Sequence, residues 1–310
     1  MRAVRAALAA LVLAVGACGV RHPSVQPRPV PKPSTCAPAG RWIIPATGFA
    51  VRFPDLVARA RASRLVLLGE DHDSAPQHAW QLHVMAALAG AAGELVLGFE
   101  MFPQTAAPAL ARWVGGESTR DEFLRETDWA HVWGFDPDLY QGLFDFARMH
   151  RVPMRGLNVS RGLVARVGRG GWTAIPTDER EGLGDPAPAG TAYRERLREA
   201  WDAHPHGSAD DGAFDRFVEA QLTWDRAMAE ALVGALAAAP RAIVVGIMGR
   251  GHLEHRDGVP AQLAALGAPR PLVLLPWDTD RDCADLSPDL ADAVFGIELP
   301  IAGSAGETPP

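Results

Sequence analysis

Five short, largely apolar runs recur along the chain without the regular polar alternation of a half-exposed strand. The runs are RLVLL at 64–68, ELVLGF at 94–99, VPMRGL at 152–157, RAIVVGIM at 241–248 and PLVLL at 271–275. Strands that are covered on both faces, as in a parallel sheet, have this continuous apolar character. The pattern therefore predicts five buried strands.

Helical stretches are predicted between and after these runs. The candidates are 75–90, 104–114, 136–150, 190–203 and 212–238. Alternation of strands and helices predicts an α/β fold with a layered parallel or mixed sheet flanked by helices. The section from about 160 to 240 lacks a clear strand, so we expect a helical cap or insertion subdomain there.

The N-terminus has the pattern of an export signal. Residues 1–17 combine a basic start with an apolar core that is too short to span a bilayer. Small residues precede Cys18 and resemble the lipobox of bacterial lipoproteins, in which this cysteine is lipidated; an ordinary secretory signal is the alternative. We expect an exported protein, lipid-anchored to the cell or outer membrane, in the periplasm or at the cell surface. The predicted segments are a signal peptide at 1–17, a Pro-rich tether at 18–45, an α/β domain at 46–295 and a flexible tail at 296–310.

Composition narrows the functional classes. The net charge of −7 gives no electrostatic basis for a nucleic-acid partner. Lys32 is the only lysine, so the globular part cannot supply a Schiff-base lysine or a P-loop lysine. Export would permit a disulfide between Cys36 and Cys283, although their spacing alone does not decide whether they pair.

Polar side chains follow four of the predicted strands. In a parallel sheet the carboxyl ends of the strands lie at one edge, where ligands bind. The residues expected at this edge are Glu70, His72, Glu100, Asn158 and His252. For any one of them alone, a structural role such as a helix cap or a turn residue is the favoured explanation.

Taken together, the edge residues fit two kinds of chemistry. Two histidines and two carboxylates, Glu70, His72, Glu100 and His252, suit a divalent metal such as Mn, Zn or Fe. The same set suits acid–base catalysis. Asn158 would orient a ligand or a water, and Arg250 would pair with a carboxylate of a ligand. His78, on the helix after the first strand, is expected to be at the surface or partly packed.

Six short motifs occur in an order that resembles the ChaN-like haem-binding uptake proteins of the Tiki, TraB and erythromycin-esterase superfamily. They are LLGEDHD, GFEMF, WGFDPDLY, a strand ending in LN, AQLTWDRAMA and GRGH, and together they span about 50–290. The resemblance implies haem binding, a role in iron uptake, two haems at a homodimer interface and a tyrosine as the iron ligand. By motif position that tyrosine is Tyr140, while Phe135 stands where members often have tyrosine.

Two functional predictions follow from this resemblance. The first is a membrane-anchored haem-binding lipoprotein whose partners are haem, membrane lipid and a second copy of the chain, with Tyr140 and Arg250 at the haem. The second, implied by the wider superfamily, is a metal-dependent hydrolase, protease-like or esterase-like. Its catalytic residues would be Glu70, His72, Glu100 and His252.

Overall fold

Eight strands in the described part of the chain form one mixed sheet. The computed structural model describes residues 36–203 and 212–298. The strands are β1 Trp42–Ile44, β2 Phe49–Val51, β3 Leu65–Glu70, β4 Leu95–Pro103, β5 Met154–Asn158, β6 Ile243–Gly249, β7 Leu272–Asp278 and β8 Ala293–Ile297. Their order is β2-β1-β8-β7-β3-β6-β4-β5. The strands from β8 to β5 run parallel, and β1 is antiparallel to both of its neighbours.

Ten α-helices flank this sheet within the described residues. They are α1 Phe53–Ser63, α2 Ala75–Ala92, α3 Ala107–Gly115, α4 Arg120–Glu126, α5 Trp129–Val132, α6 Asp138–Met149, α7 Arg161–Gly170, α8 Thr191–Asp202, α9 Ala213–Ala238 and α10 Val259–Ala265. The predicted α/β class with a mixed sheet is confirmed. All five predicted strands and all five predicted helices form within a few residues of their expected bounds.

The two faces of the sheet are both covered, which explains the continuous apolar runs. Along β3, Val66 and Leu68 pack into one core cluster, and Leu65 and Leu67 pack into another. Successive side chains of a strand point to opposite faces, so a strand buried on both sides needs apolar residues at every position. Helix α2 packs on the first face, and helices α9 and α10 pack on the second.

Strands β1, β2 and β8 were not predicted, and a disulfide links two segments that lie beside them. Cys36 lies just before β1, Cys283 lies between β7 and β8, and the two form a disulfide with a Cα–Cα distance of 5.5 Å. Strand β8 was not among the predicted strands, and the tail predicted from 296 overlaps its end. The signal peptide, Cys18 and residues from 299 onward lie outside the described residues.

No helix in the described ranges has both the length and the apolarity that a bilayer-crossing segment requires.

Candidate functional site

Three adjacent central strands bring their polar residues to one edge of the sheet. Glu70 is the last residue of β3 and lies in register with Gly249, the last residue of β6. Glu100 lies in β4 just beyond its final pairing with β6, where the register of β4 becomes irregular. Because β6 lies between β3 and β4, the three strand ends place Glu70, Gly249 and Glu100 side by side.

The first group of contacting residues surrounds the buried carboxylate of Glu70. Its Oε1 accepts hydrogen bonds from the Tyr140 hydroxyl at 2.7 Å and from His72 Nδ1 at 3.0 Å. Its Oε2 accepts from Gln81 Nε2 at 2.9 Å and lies 3.3 Å from His78 Nε2. We call these five residues the Glu70 assembly. Both oxygens of this carboxylate accept hydrogen bonds, and these bonds allow its charge to be buried.

The second group surrounds the buried carboxylate of Asp225, which lies within α9. Its Oδ1 lies 2.6 Å from His252 Nδ1, and its Oδ2 accepts from the Tyr193 hydroxyl at 2.8 Å. The other nitrogen of His252, Nε2, lies 3.4 Å from Glu100 Oε1. Glu100 Oε2 accepts the backbone N–H of Gly249 at 2.6 Å. Asp225, Tyr193, His252 and Glu100 are the Asp225 assembly.

The contacts within the two assemblies shift the pKa of the carboxyl and imidazole groups. Burial raises the pKa of Glu70, but hydrogen bonds from His72, His78 and Tyr140 outweigh it and lower that pKa to about 2. Burial lowers the pKa of His252, but the charges of Glu100 and Asp225 outweigh it and raise that pKa to about 10. The Glu70 carboxylate and the His252 imidazolium are therefore charged at neutral pH.

The pKa values of His72 and Glu100 also shift toward the charged form of each group. Burial lowers the pKa of His72, but its hydrogen bond to Glu70 and the charge of Glu100 outweigh burial and raise that pKa. Burial raises the pKa of Glu100, but the charge and hydrogen bond of His252 outweigh it and lower that pKa. In Glu70, His252, His72 and Glu100 alike, contacts that stabilise the charged form outweigh burial and set the direction of the pKa shift.

Tyr140, the predicted haem ligand, is fully buried. Besides its bond to Glu70, its hydroxyl lies 3.2 Å from the His72 carbonyl, and its ring contacts His78 with centroids 4.2 Å apart. Burial and the charge of Glu70 raise the pKa of Tyr140. In this structure the phenol is a neutral hydrogen-bond donor inside the Glu70 assembly.

Arg250 and Asn158 lie at the carboxyl edge of the sheet, but both contact groups of the protein, whereas the sequence predicted contacts to a ligand. The Arg250 guanidinium donates to Glu254 Oε1 at 2.7 Å and to Asp71 Oδ2 at 3.3 Å. The Asn158 side-chain amide donates to the backbone carbonyl of Glu100 at 3.4 Å. Arg250 therefore already carries two acidic partners, and Asn158 fixes the backbone of β4.

The predicted divalent metal site is not supported by the side-chain arrangement. In residues 36–203 and 212–298, no group of three or more His, Cys, Asp or Glu side chains is placed to hold a metal ion. The physical reason lies in the partners of the carboxylates. Glu70 is surrounded by donors, and Glu100 accepts from Gly249 and faces the positive imidazole of His252, so their oxygens do not converge with the histidines on one point.

Several residues of the site were missed by sequence reasoning. Asp225 and Tyr193 received no role, and His78 was expected near the surface but is 3% exposed beside Glu70. A signal for Asp225 does exist in the sequence. It shares a helix face with Leu222, Ala229 and Leu232, so a carboxylate stands in an otherwise apolar stripe. A buried charge of this kind needs a partner, and that partner is His252.

Both assemblies border one cleft of about 480 Å³, which we call the histidine cleft. Its lining includes His72, His131, His252, Trp133, Phe135 and Arg161. The His72 ring packs against Trp133 and Phe135, with ring centroids 4.6 and 5.3 Å apart. This volume lies within the range of about 300–1,000 Å³ that is usual for small-molecule and cofactor sites.

Arg161 gives the histidine cleft a positive charge at its border. Its guanidinium donates to the carbonyls of His131 at 2.9 Å and Val132 at 3.2 Å. Among the described residues it forms no ion pair, unlike Arg250. An anionic group on a ligand would find an uncompensated cation here.

Of three solved structures compared with this chain, one shares its fold and two show weaker similarity. The structure of ChaN from Campylobacter jejuni, described as binding haem cofacially, has a TM-score of 0.65 at 18% identity. The match covers 82% of this chain and 95% of that chain. The type III effector HopBA1 matches with a TM-score of 0.45 at 16% identity, covering 86% of this chain and 98% of that one. A mutant of the erythromycin esterase EreC in its open conformation matches with a TM-score of 0.44 at 10% identity, covering 76% of this chain and 77% of that one.

Sequence comparisons assign the family. No curated protein matches the chain. The family model described as haem-binding uptake, Tiki superfamily, ChaN matches residues 56–263. This range contains Glu70, Glu100, Asp225 and His252, and it extends over more than half of the chain. The chain therefore belongs to the ChaN family of the Tiki superfamily.

Proposed function

We propose that this protein binds haem in the histidine cleft and takes part in haem uptake. The observation that carries the proposal is the family match over residues 56–263, in a chain whose aromatic-walled cleft lies at the carboxyl edge of the sheet. Trp133 and Phe135 offer apolar ring faces to a flat macrocycle. Arg161 offers a cation to a propionate.

The lack of a side chain at Gly249 is also compatible with a bound cofactor. A Cβ atom at this position would lie 2.9 Å from Cε1 and 3.1 Å from Nε2 of His72. Such a contact would push the imidazole away or cover its edge. Glycine at the end of β6 therefore leaves the edge of His72 free toward a ligand. When bound, haem would supply a ferric or ferrous iron, and this chain would supply the aromatic walls and the charge at the border.

Titration of the full chain with hemin tests this proposal directly. Replacing Cys18 by alanine keeps the purified chain free of lipid. We expect a shifted Soret band that saturates with added hemin. The chain offers a matched pair of exposed phenylalanines, Phe135 in the cleft at 37% exposure and Phe49 on β2 at 49%.

The two phenylalanine variants report where hemin binds. The Phe135→Ala variant should raise the dissociation constant of hemin about three- to tenfold, since aromatic contacts contribute about 0.5–1.5 kcal/mol. The Phe49→Ala variant should leave it unchanged. A wild-type protein without a Soret shift contradicts haem binding, and equal effects of the two variants contradict the location.

We also infer that the protein is exported and held at a membrane by a lipid on Cys18. The apolar core and small residues before Cys18 support this inference, as does the disulfide between Cys36 and Cys283, since disulfides persist in oxidising compartments. Fractionation of the bacterium that makes the protein tests it. The wild type should sediment with membranes and the Cys18→Ala variant should not; identical distributions would contradict the anchor.

A haem-uptake role and a homodimer are the remaining parts of the proposal. They are supported by the family match and by the cofacial haem in the related structure. With haem as the only iron source, we expect slower growth when the gene is deleted and recovery when it is restored. Sedimentation analysis should show that hemin converts monomer to dimer, and a protein that stays monomeric when saturated would contradict the dimer.

The hydrolase alternative is not favoured by the site. A general base must be unprotonated at the working pH, whereas Asp225 and Glu100 raise the pKa of His252 to about 10. The carboxylate of Glu70 is stabilised by its donors, with a pKa of about 2, and is a weak base. Glu70 and His252, two of the side chains that the hydrolase would use, are therefore held in their charged forms by their neighbours.

A further inference from the structure

Both tyrosines of the chain donate hydrogen bonds to buried carboxylates. Tyr140 is fully buried and donates to Glu70, and Tyr193 is 4% exposed and donates to Asp225. A tyrosinate ligand would have to leave its carboxylate and bring a second negative charge beside it. The iron ligand must therefore be sought among the other side chains of the histidine cleft, a search that rests on the haem binding proposed above.

Three histidines border this cleft, and their nitrogens differ in availability. His252 faces Asp225 through Nδ1 and Glu100 through Nε2, so both nitrogens are engaged. His131 lies at the surface with 84% of its side chain exposed. His72 uses only Nδ1 for its carboxylate, and its side chain is 29% exposed between Trp133 and Phe135.

The contact with Glu70 fixes which nitrogen of His72 can bind a metal. An ionised carboxylate only accepts hydrogen bonds, so the proton of this contact resides on Nδ1 of the imidazole. Nε2 is then the atom with a free lone pair, and the missing side chain of Gly249 avoids a Cβ that would lie 3.1 Å from it. A carboxylate behind a metal-binding histidine is a recurring arrangement, because it orients the ring and makes the nitrogen a stronger donor.

We propose that Nε2 of His72 is the axial ligand of the haem iron, with Glu70 as its positioning residue. The Fe–Nε2 bond forms with the nitrogen lone pair. Where His72 starts as imidazolium, the Nε2 proton would leave to solvent, while the Nδ1 proton would stay on the ring as the donor to Glu70. No change of oxidation state is required. Trp133 and Phe135 flank the His72 ring, and they would shield a bound iron from water on that side.

Hemin titration of matched histidine and tyrosine variants tests the proposal. The full chain is compared with its His72→Gly, His131→Ala and Tyr140→Phe variants by absorption and electron paramagnetic resonance spectra. We expect His72→Gly to lose the ligand signature of the wild type and to bind hemin more than about tenfold more weakly. The other two variants should keep the wild-type spectrum. Added imidazole should restore that spectrum in His72→Gly, which also shows that the variant is folded.

Each outcome of this experiment has a definite meaning. A wild-type chain that gives no Soret shift overturns the proposed function, and this proposal with it. A wild-type chain that binds hemin, with an unchanged spectrum in His72→Gly, overturns the proposal alone. Loss of the wild-type spectrum in Tyr140→Phe or His131→Ala, while His72→Gly retains it, overturns it in favour of that residue.

A glycine pair and a charge variant of Glu70 test the geometry without removing the ligand. Gly249→Ala places a Cβ against the edge of His72 and should weaken hemin binding about tenfold or more. Gly251→Ala, whose Cβ would meet nothing within 4 Å, should not. Glu70→Gln should retain the wild-type ligand signature and raise the reduction potential of the haem, because a neutral partner makes Nε2 a weaker donor. Equal binding by the two glycine variants, or an unchanged potential, contradicts the proposed roles.

Discussion

The Glu70 and Asp225 assemblies are built from the same parts but differ in what lies beyond the histidine. In each, a buried carboxylate accepts from a tyrosine hydroxyl and contacts Nδ1 of a histidine. His252 meets a second carboxylate, Glu100, at its other nitrogen, whereas His72 has the edge left open by Gly249. In the Asp225 assembly both nitrogens of the histidine therefore face carboxylates, and the Glu70 assembly is the one to which we assign the ligand.

The largest expected difference between the assemblies concerns removal of each histidine. The His252→Ala variant leaves Asp225 and Glu100 as two buried carboxylates without their cation. We expect the free energy of unfolding to fall by about 3–5 kcal/mol. The His72→Ala variant should lower it by only about 1 kcal/mol, since Glu70 keeps the donors Tyr140 and Gln81.

Urea unfolding of these two variants beside the wild type measures both losses. Circular dichroism in the near ultraviolet verifies that each variant keeps its tertiary packing before denaturant is added. Equal losses of unfolding free energy in the two variants would mean that the assemblies are structurally equivalent and that our distinction is wrong.

The next expected effect is a fall in stability at alkaline pH that depends on the Asp225 assembly. The pKa of His252 rises from 6.5 to about 10 on folding, so its stabilising contribution is complete below pH 6.5 and lost as the pH rises through about 10. Over the window from pH 6.5 to 9, one proton of linkage lowers the unfolding free energy by about 3 kcal/mol.

Urea unfolding at several pH values in that window measures how the unfolding free energy depends on the protonation of His252. The control is His252→Gln, in which the contribution of this residue to the slope must vanish. The pKa of His72 is also raised, so His72 leaves a residual slope of the same sign in that control. A wild-type protein whose stability is flat from pH 6.5 to 9 would contradict the charged state that we assign to His252.

The fold and the edge of the site were predictable because their signals are local. Each buried strand, such as Leu65–Glu70, contains its own apolar run, and each polar residue follows its strand directly. The three-residue strands Trp42–Ile44 and Phe49–Val51 are too short to show any period. They exist because β8 and the Cys36–Cys283 disulfide hold this part of the chain against the sheet.

The partners within the site were not predictable because they come from distant parts of the chain. Asp225 meets His252 across 27 positions and Tyr193 across 32, and a single sequence does not show such pairings. Tyr140 is different, since its direction can be inferred from spacing. It shares a helix face with Leu143, Phe144 and Ala147, all buried, so the helix turns the phenol inward rather than toward a ligand.

The smallest expected effect compares the two tyrosine hydroxyls. Tyr193→Phe removes one of the two hydrogen-bond partners of the Asp225 carboxylate and should lower the unfolding free energy by about 2 kcal/mol, as for a bond to a charged group. Tyr140→Phe removes one of several donors to Glu70 and should cost about 1 kcal/mol. Both rings stay, so packing is nearly unchanged and unfolding in urea reports the hydroxyl alone. A larger loss for Tyr140→Phe than for Tyr193→Phe would show that the remaining donors do not stabilise the Glu70 carboxylate. The number of hydrogen-bond donors would then not explain the difference between the two assemblies.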